Sequence, residues 1–259
     1  MSELKYIPFE EESTEIKNRV EDYWTVRADS FFAQKQHELE SEKAQKWLEA
    51  ILTNITDSFG NKPASDIKIL DVGCGAGFFT VLLGKEGFDV TGIDLTKEMV
   101  SKANKMIELN GPFEGNVKAI DMDAENLKFA DESFDVIVTR NLTWTLPHPV
   151  DAYMEWSRVL KKGGLLLNFD AEYAKGEHNL DNQNNLAHKD ISKVLKDECH
   201  EIYHMLTIST LDRPEWDIEV LRKSGFKSVV TNTDFYKTIY DKKDEFYIPD
   251  KMFMISAQK

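Results

Sequence analysis

The sequence predicts an α/β fold in which a mainly parallel sheet is covered by helices on both faces. Three observations carry this. Short, largely continuous apolar runs recur at 67–72, 88–93, 117–120, 134–139 and 165–169, as buried parallel strands require. Helical patterns separate them, the alternation of a layered α/β domain. The first run ends at Asp71 and turns through Gly73, Gly75 and Gly77 into a helix, a turn that lets a ligand approach the backbone closely.

The elements follow in order. Residues 1–62 read as an N-terminal helical lid, with Trp47, Leu48, Ile51, Leu52 and Ile55 at helical spacing and a stop near Gly60 and Pro63. An aromatic segment with Tyr23, Trp24, Phe31 and Phe32 forms an earlier helix. Residues 63–173 hold the strands named above and the cofactor-binding core. Helices lie between the strands, one starting at Phe78 and another capped by Thr96 and stopped by Gly111. A helix over 150–160 leads into a turn at Lys161-Lys-Gly-Gly164 before the fifth strand. Residues 174–213 break the rhythm and read as an inserted cap. It is polar over 176–185, then helical with Ile191, Val194, Leu195, Ile202 and Leu206 on one face. The alternation resumes over 214–259 with a helix at 216–224, Gly225 as its stop, and strands at 227–230 and 252–256. One domain with an inserted cap is the simplest organisation.

Bulk properties narrow the function. The net charge of −14 argues against nucleic acid and against an anionic membrane surface. A small-molecule partner is the default. The opening residues show no apolar run behind a basic start, and the longest apolar region, 69–84, is broken by Asp71 and glycines. Two cysteines, Cys74 and Cys199, fit a reducing compartment. A cytoplasmic protein, monomeric or homodimeric, is expected.

The glycine turn selects its ligand by spacing and sign. A dinucleotide fingerprint, G-x-G-x-x-G, would need its third glycine at position 78, which is Phe78. The spacing here is G-x-G-x-G. Asp71, two residues before the first glycine, would repel a pyrophosphate but suits a ligand with a sulfonium and an ammonium group. That favours S-adenosylmethionine over NAD. Asp94, ending the second strand with Leu95 beside it, can accept both ribose hydroxyls or cap the helix near Thr96. The acidic segment from Asp121 to Leu127 follows the third strand, and an acid there can accept an adenine amino group.

Together these residues resemble the class I S-adenosylmethionine-dependent methyltransferases, particularly the small-molecule, Methyltransferase type 11-like branch carrying an Asp-Ala-Glu-x-Leu segment. The likeness covers roughly 65–170, with Phe134-Asp135-Val-Ile-Val and Arg158-Val-Leu-Lys-Lys-Gly-Gly164 matching later strand and turn patterns. Lys128 departs from it, where many relatives have proline. The resemblance implies a Rossmann-like, seven-stranded sheet with the last strand antiparallel. It also implies that Asp71 and the glycine loop hold the methionine end, Asp94 the ribose, and Asp123 with Ala124 the adenine. S-adenosylhomocysteine would be the product, and the acceptor is left open.

Ligands of open α/β sheets sit beyond the carboxyl ends of the strands. That places Arg140 with the cofactor contacts, and Asn141, Trp144, His148 and Tyr173 near the reacting centre. His148 is the first candidate base if the acceptor arrives protonated; between two prolines it also suits an ordered exposed turn. Tyr23 and Arg27, one helical turn apart, form a lid in which Arg27 pairs with the methionine carboxylate, or simply a helix packed on the sheet. Trp216 either borders the acceptor or packs in the core.

Two rival functions remain. His200-Glu201-Ile-Tyr-His204 matches the H-E-x-x-H pattern of zinc peptidases. The pair sits on the polar side of its helix, with only His178 and His188 available as a third ligand, so no metal is expected. The other rival is a non-catalytic S-adenosylmethionine-binding module.

Overall fold

The computed structural model describes residues 10–173 and 184–259. Strand β1 (Lys68–Val72) is buried from Ile69 onward and pairs in parallel with β2 (Asp89–Asp94) and β4 (Phe134–Arg140). β3 (Val117–Asp121) lies outside β2, and β5 (Leu160–Asp170) outside β4. β7 (Phe253–Gln258) runs antiparallel between β5 and β6 (Ser228–Asn232). The sheet has seven strands in the order β3-β2-β1-β4-β5-β7-β6, with the last strand antiparallel. Lys161–Gly164 is not a separate turn but part of β5. There its register with β4 shifts between Phe134 and Val136, and Gly163 takes φ 74°. An extra-residue bulge of this kind uses glycine to reach the left-handed region.

Successive strand residues point to opposite faces, and both faces are covered. Ile69, Val136, Val138 and Leu167 meet α2 (Glu42–Phe59) and α3 (Phe78–Gly84). Leu70, Val72, Ile137 and Leu166 meet α5 (Pro149–Val159) and α7 (Glu215–Lys223). Trp47 of α2 is fully buried, its ring edge-on to Phe79 and Phe169 at 5.2 and 5.1 Å, a favoured aromatic geometry. α4 (Lys97–Asn110) follows β2 and begins after Thr96, as the sequence predicts. A short helix, α8 (Tyr236–Ile239), was not anticipated; its Ile239 is buried in the α2-side core.

The long α1 (Glu10–Leu39) and α6 (Lys193–Met205) form a layer over the carboxyl ends of the strands. Cys199, Ile202 and Tyr203 of α6 pack against Ile16 and Tyr23 of α1. Val194, expected on that apolar face, is 76% exposed. It shares a stripe with Glu198 and Glu201 at i+4 and i+7, about 100° around the helix from Leu195. Residues 174–183, most of the predicted polar stretch, lie outside the described residues. No described helix is long and apolar enough to cross a membrane.

A buried polar hub ties α7 and the loop after β4 to the sheet. Arg213 donates to Asp170 at 3.0 Å and to Asp217 through two nitrogens at 2.8 and 2.9 Å. Asp170 also accepts the backbone N–H of Trp144 at 3.0 Å. The end of β5, the start of α7 and the loop after β4 therefore share one network.

Candidate cofactor and acceptor site

The carboxyl ends of the parallel strands open into one cavity with about 1770 Å³ of empty space, counting its mouth.

At one end lies the glycine turn. Gly73 and Gly75 take φ 68° and 51°, a region that costs ordinary residues roughly 1–2 kcal/mol. A methyl group on Gly73 would stand 2.8 Å from Leu142 Cδ1, and one on Gly75 3.0 Å from Phe31 Cε1. Gly73 and Gly75 line the cavity; Gly77 sits behind them against Ala103. The Asp94 carboxylate is held at the start of α4 and borders the cavity. Oδ2 accepts the Gly75 N–H and Oδ1 the Thr96 N–H, each at 2.9 Å, so one side chain ties the turn to the start of α4 while facing the cavity. Leu95 and Thr96 line the cavity beside it. Burial raises the Asp94 carboxyl above its usual range despite those two bonds. Asp71 accepts the Thr80 hydroxyl at 2.7 Å, and burial pushes its carboxyl up to about 7.

The wall opposite the turn comes from α1. Tyr23, Trp24, Arg27 and Phe31 line the cavity, with edge-on contacts of 5.2 Å between Tyr23 and Trp24 and 5.3 Å between Trp24 and Phe31. This aromatic stripe packs on α6 and also walls the cavity. Arg27 is buried; Nη1 donates to Ser30 Oγ at 3.0 Å, while Nε has no hydrogen-bond partner among the described residues. An orphaned buried donor costs about 1–3 kcal/mol. This donor, the two glycines and the neighbouring carboxylates suit the amino-acid end of S-adenosylmethionine, which carries one carboxylate and two cationic centres.

Beyond β3, Asp123 and Ala124 line the cavity with Met122 and Leu146. Lys17 of α1, which sequence reasoning missed, bridges Asp123 and Glu125 at 2.7 and 2.5 Å. Its Nζ is thereby drawn above its ordinary range, burial notwithstanding. No local signal marks Lys17, because its partners lie more than a hundred positions away.

The other lobe begins at the end of β4. Asn141 takes φ 57° and accepts the Tyr173 hydroxyl at 2.7 Å. Burial drives the Tyr173 phenol far above its ordinary range, so it stays a donor. The Trp144 ring lies 5.4 Å from Tyr173 and 4.6 Å from Tyr203. Arg140 stacks 4.4 Å over the Trp47 ring and donates through Nη2 to Glu38 at 2.9 Å. Lys35, Glu38, Asn185, His188, Phe246 and Asp250 complete this lobe, and none was read from the sequence as lining it.

Besides Gly77, two predicted site residues are not brought to the cavity. His148 caps α5, its backbone N–H donating to Glu125 Oε1, and it does not line the cavity although Pro147 does. Trp216 packs between Tyr153, with ring centroids 6.5 Å apart, and the α6 cluster. On α6, Nε2 of His200 and of His204 are 2.9 Å apart. Among the described residues no three His, Cys, Asp or Glu side chains are placed to share a metal ion. His188 faces the cavity instead, and His178 lies outside the described residues.

Residues 70–168 match a family profile described as a methyltransferase domain. YcgJ, a methyltransferase of Bacillus subtilis, is 31% identical over 177 residues, covering 66% of this chain and 69% of that protein. A phosphatidylethanolamine N-methyltransferase of Cereibacter sphaeroides is 37% identical over 97 residues, 38% of this chain and 47% of that one. The chain thus spans from about half to about two thirds of the length of these relatives. Phosphoethanolamine N-methyltransferase 2 of Haemonchus contortus, solved with S-adenosyl-L-methionine, shares the fold with a TM-score of 0.58 at 17% identity. The match covers 87% of this chain and 60% of that one. The glycine turn, its acids and these likenesses converge: the chain belongs to the class I S-adenosylmethionine-dependent methyltransferases.

Proposed function

We propose that the protein transfers the methyl group of S-adenosylmethionine to a small-molecule acceptor by in-line displacement. The observation that carries this reading is the single cavity joining the glycine turn to an aromatic inner lobe. When bound, the cofactor supplies an electrophilic methyl group on a sulfonium. Arg27 Nε takes its carboxylate, Asp71 balances its ammonium, Asp94 receives the ribose hydroxyls, and Asp123 with Ala124 meets the adenine. Asp94 keeps lone pairs for this, since a carboxylate offers about four acceptor positions. Asn141, Trp144 and Tyr173 orient the acceptor and exclude water. Alignment of this kind can contribute about 7–11 kcal/mol. With His148 outside the cavity, an acceptor that attacks as its deprotonated form needs no base from that residue.

Calorimetry with S-adenosylhomocysteine tests the first half; an absence of binding would sink the cofactor assignment. Methyl-labelled cofactor incubated with a metabolite extract tests the second, with labelled products identified by mass spectrometry. Binding without any labelled product would make the chain a non-catalytic module.

A further inference from the structure

We propose that the acceptor carries a carboxylate on a flat apolar body, and that Arg140, with Lys35 beside it, takes that carboxylate in the inner lobe. The term acceptor rests on the methyl-transfer reading; the anion site does not.

Unused donors lead here. Lys35 and Arg140 both bond to one carboxylate, Glu38, and all three are nine-tenths or so buried. One carboxylate cannot meet every donor of an ammonium and a guanidinium. Asp250 also lines the cavity, so Glu38 and Asp250 balance the charges of Lys35 and Arg140; donors, not net charge, are in excess.

Arg140 Nε and Nη1 are buried and have no hydrogen-bond partner among the described residues. The Tyr240 hydroxyl lies close enough to Arg140 to help hold the guanidinium protonated, though neither group is placed for a well-formed hydrogen bond. A guanidinium with free N–H groups matches a carboxylate better than any neutral group. His188 reports the sign of the local potential. Burial first, then Arg27, Lys35, Arg140 and Lys196, push its imidazole down to about 3, so it enters as a neutral hydrogen-bonding group. Its Nδ1 also lacks a partner among the described residues. The rest of the lobe is apolar and largely aromatic: Phe78 and Phe79 lie 5.2 and 5.9 Å from the guanidinium, and Trp144, Tyr203 and Phe246 line the same cavity. An acidic head on a planar apolar body satisfies both halves.

The test is calorimetric titration with benzoate, benzamide and benzylammonium, each with and without S-adenosylhomocysteine. Benzoate is expected to bind about tenfold or more tighter than benzamide, with benzylammonium weakest. Arg140→Met should abolish the preference for benzoate over benzamide. Should that variant fail to fold, Lys35→Met should still reduce the preference several-fold. Benzamide binding within roughly twofold of benzoate, tighter binding of benzylammonium, or no binding by any of the three overturns the proposal. Failure of S-adenosylhomocysteine to bind would sink the cofactor assignment alone, because the probe comparison is also made without it.

Discussion

Replacing Asp94 with asparagine exchanges one carboxylate oxygen for an NH2 group of similar size. Both oxygens are engaged, Oδ2 by the Gly75 N–H and Oδ1 by the Thr96 N–H, each at 2.9 Å. Asparagine can accept from only one; the other N–H then faces a second donor. A charge-assisted bond is worth about 1.5–3 kcal/mol. The gain from burying a neutral group offsets part of that loss, since burial already disfavours the ionised carboxyl. A net destabilisation of about 2 kcal/mol follows. For a chain of this size that is a fall in melting temperature of about 4–8 °C. The ribose would meet a weaker acceptor as well, and a loss of about 1.5–2 kcal/mol weakens S-adenosylhomocysteine roughly 10- to 30-fold. Scanning calorimetry reads the first effect and titration calorimetry the second. A variant that melts within about 1 °C of the parent and binds with unchanged affinity would refute the role of Asp94 in both the turn and the site.

Three further outcomes follow from the same contacts. Arg213→Met leaves Asp170 and Asp217 facing each other without a cation; breaking such buried pairs costs about 3–5 kcal/mol, and a melting temperature that falls by less than about 4 °C would contradict the hub. Asp71 has a folded-state pKa of about 7, above an unfolded value of about 3.9. Its contribution to stability is therefore fully present below about pH 4 and is lost as pH rises toward 7. Denaturant midpoints across that window should decline in the parent and flatten in Asp71→Asn. For the same reason, affinity for S-adenosylhomocysteine, whose ammonium prefers the ionised carboxylate, should rise as pH passes 7; a flat profile would remove Asp71 from the ammonium contact. His148→Gln should keep turnover within roughly twofold, as expected of a side chain outside the cavity, whereas a hundredfold loss of turnover would restore its candidacy as the base.

The strands, the glycine turn and the acids at 71, 94 and 123 were legible because each is marked by neighbours a few positions away. Apolar runs of strand length, glycines at G-x-G-x-G spacing and an acid at each strand end are local patterns with local causes. The misses have the opposite character. Val194 was read into the apolar face of the cap, but the helix turns it toward Glu198 and Glu201. His148 is adjacent to a cavity residue in sequence and still points elsewhere. Lys35, Glu38 and His188 carry no motif; they belong to a long, largely polar helix and to a segment after the polar stretch, both unremarkable when read alone.

Alone, then, the sequence determined the layered α/β fold, the edge of the sheet where ligands gather, and the sign of the cofactor that edge accepts. Backbone periodicity and glycine conformation are short-range properties, so they survive in a one-dimensional reading. Only the tertiary structure decided that α1 walls the cavity, that Lys17 reaches Asp123, and that Lys35 and Arg140 share a single carboxylate. Those pairings join residues about a hundred positions apart. Their energetics depend on burial, which no local pattern encodes, because a charge becomes costly or useful only once packed neighbours have removed its water.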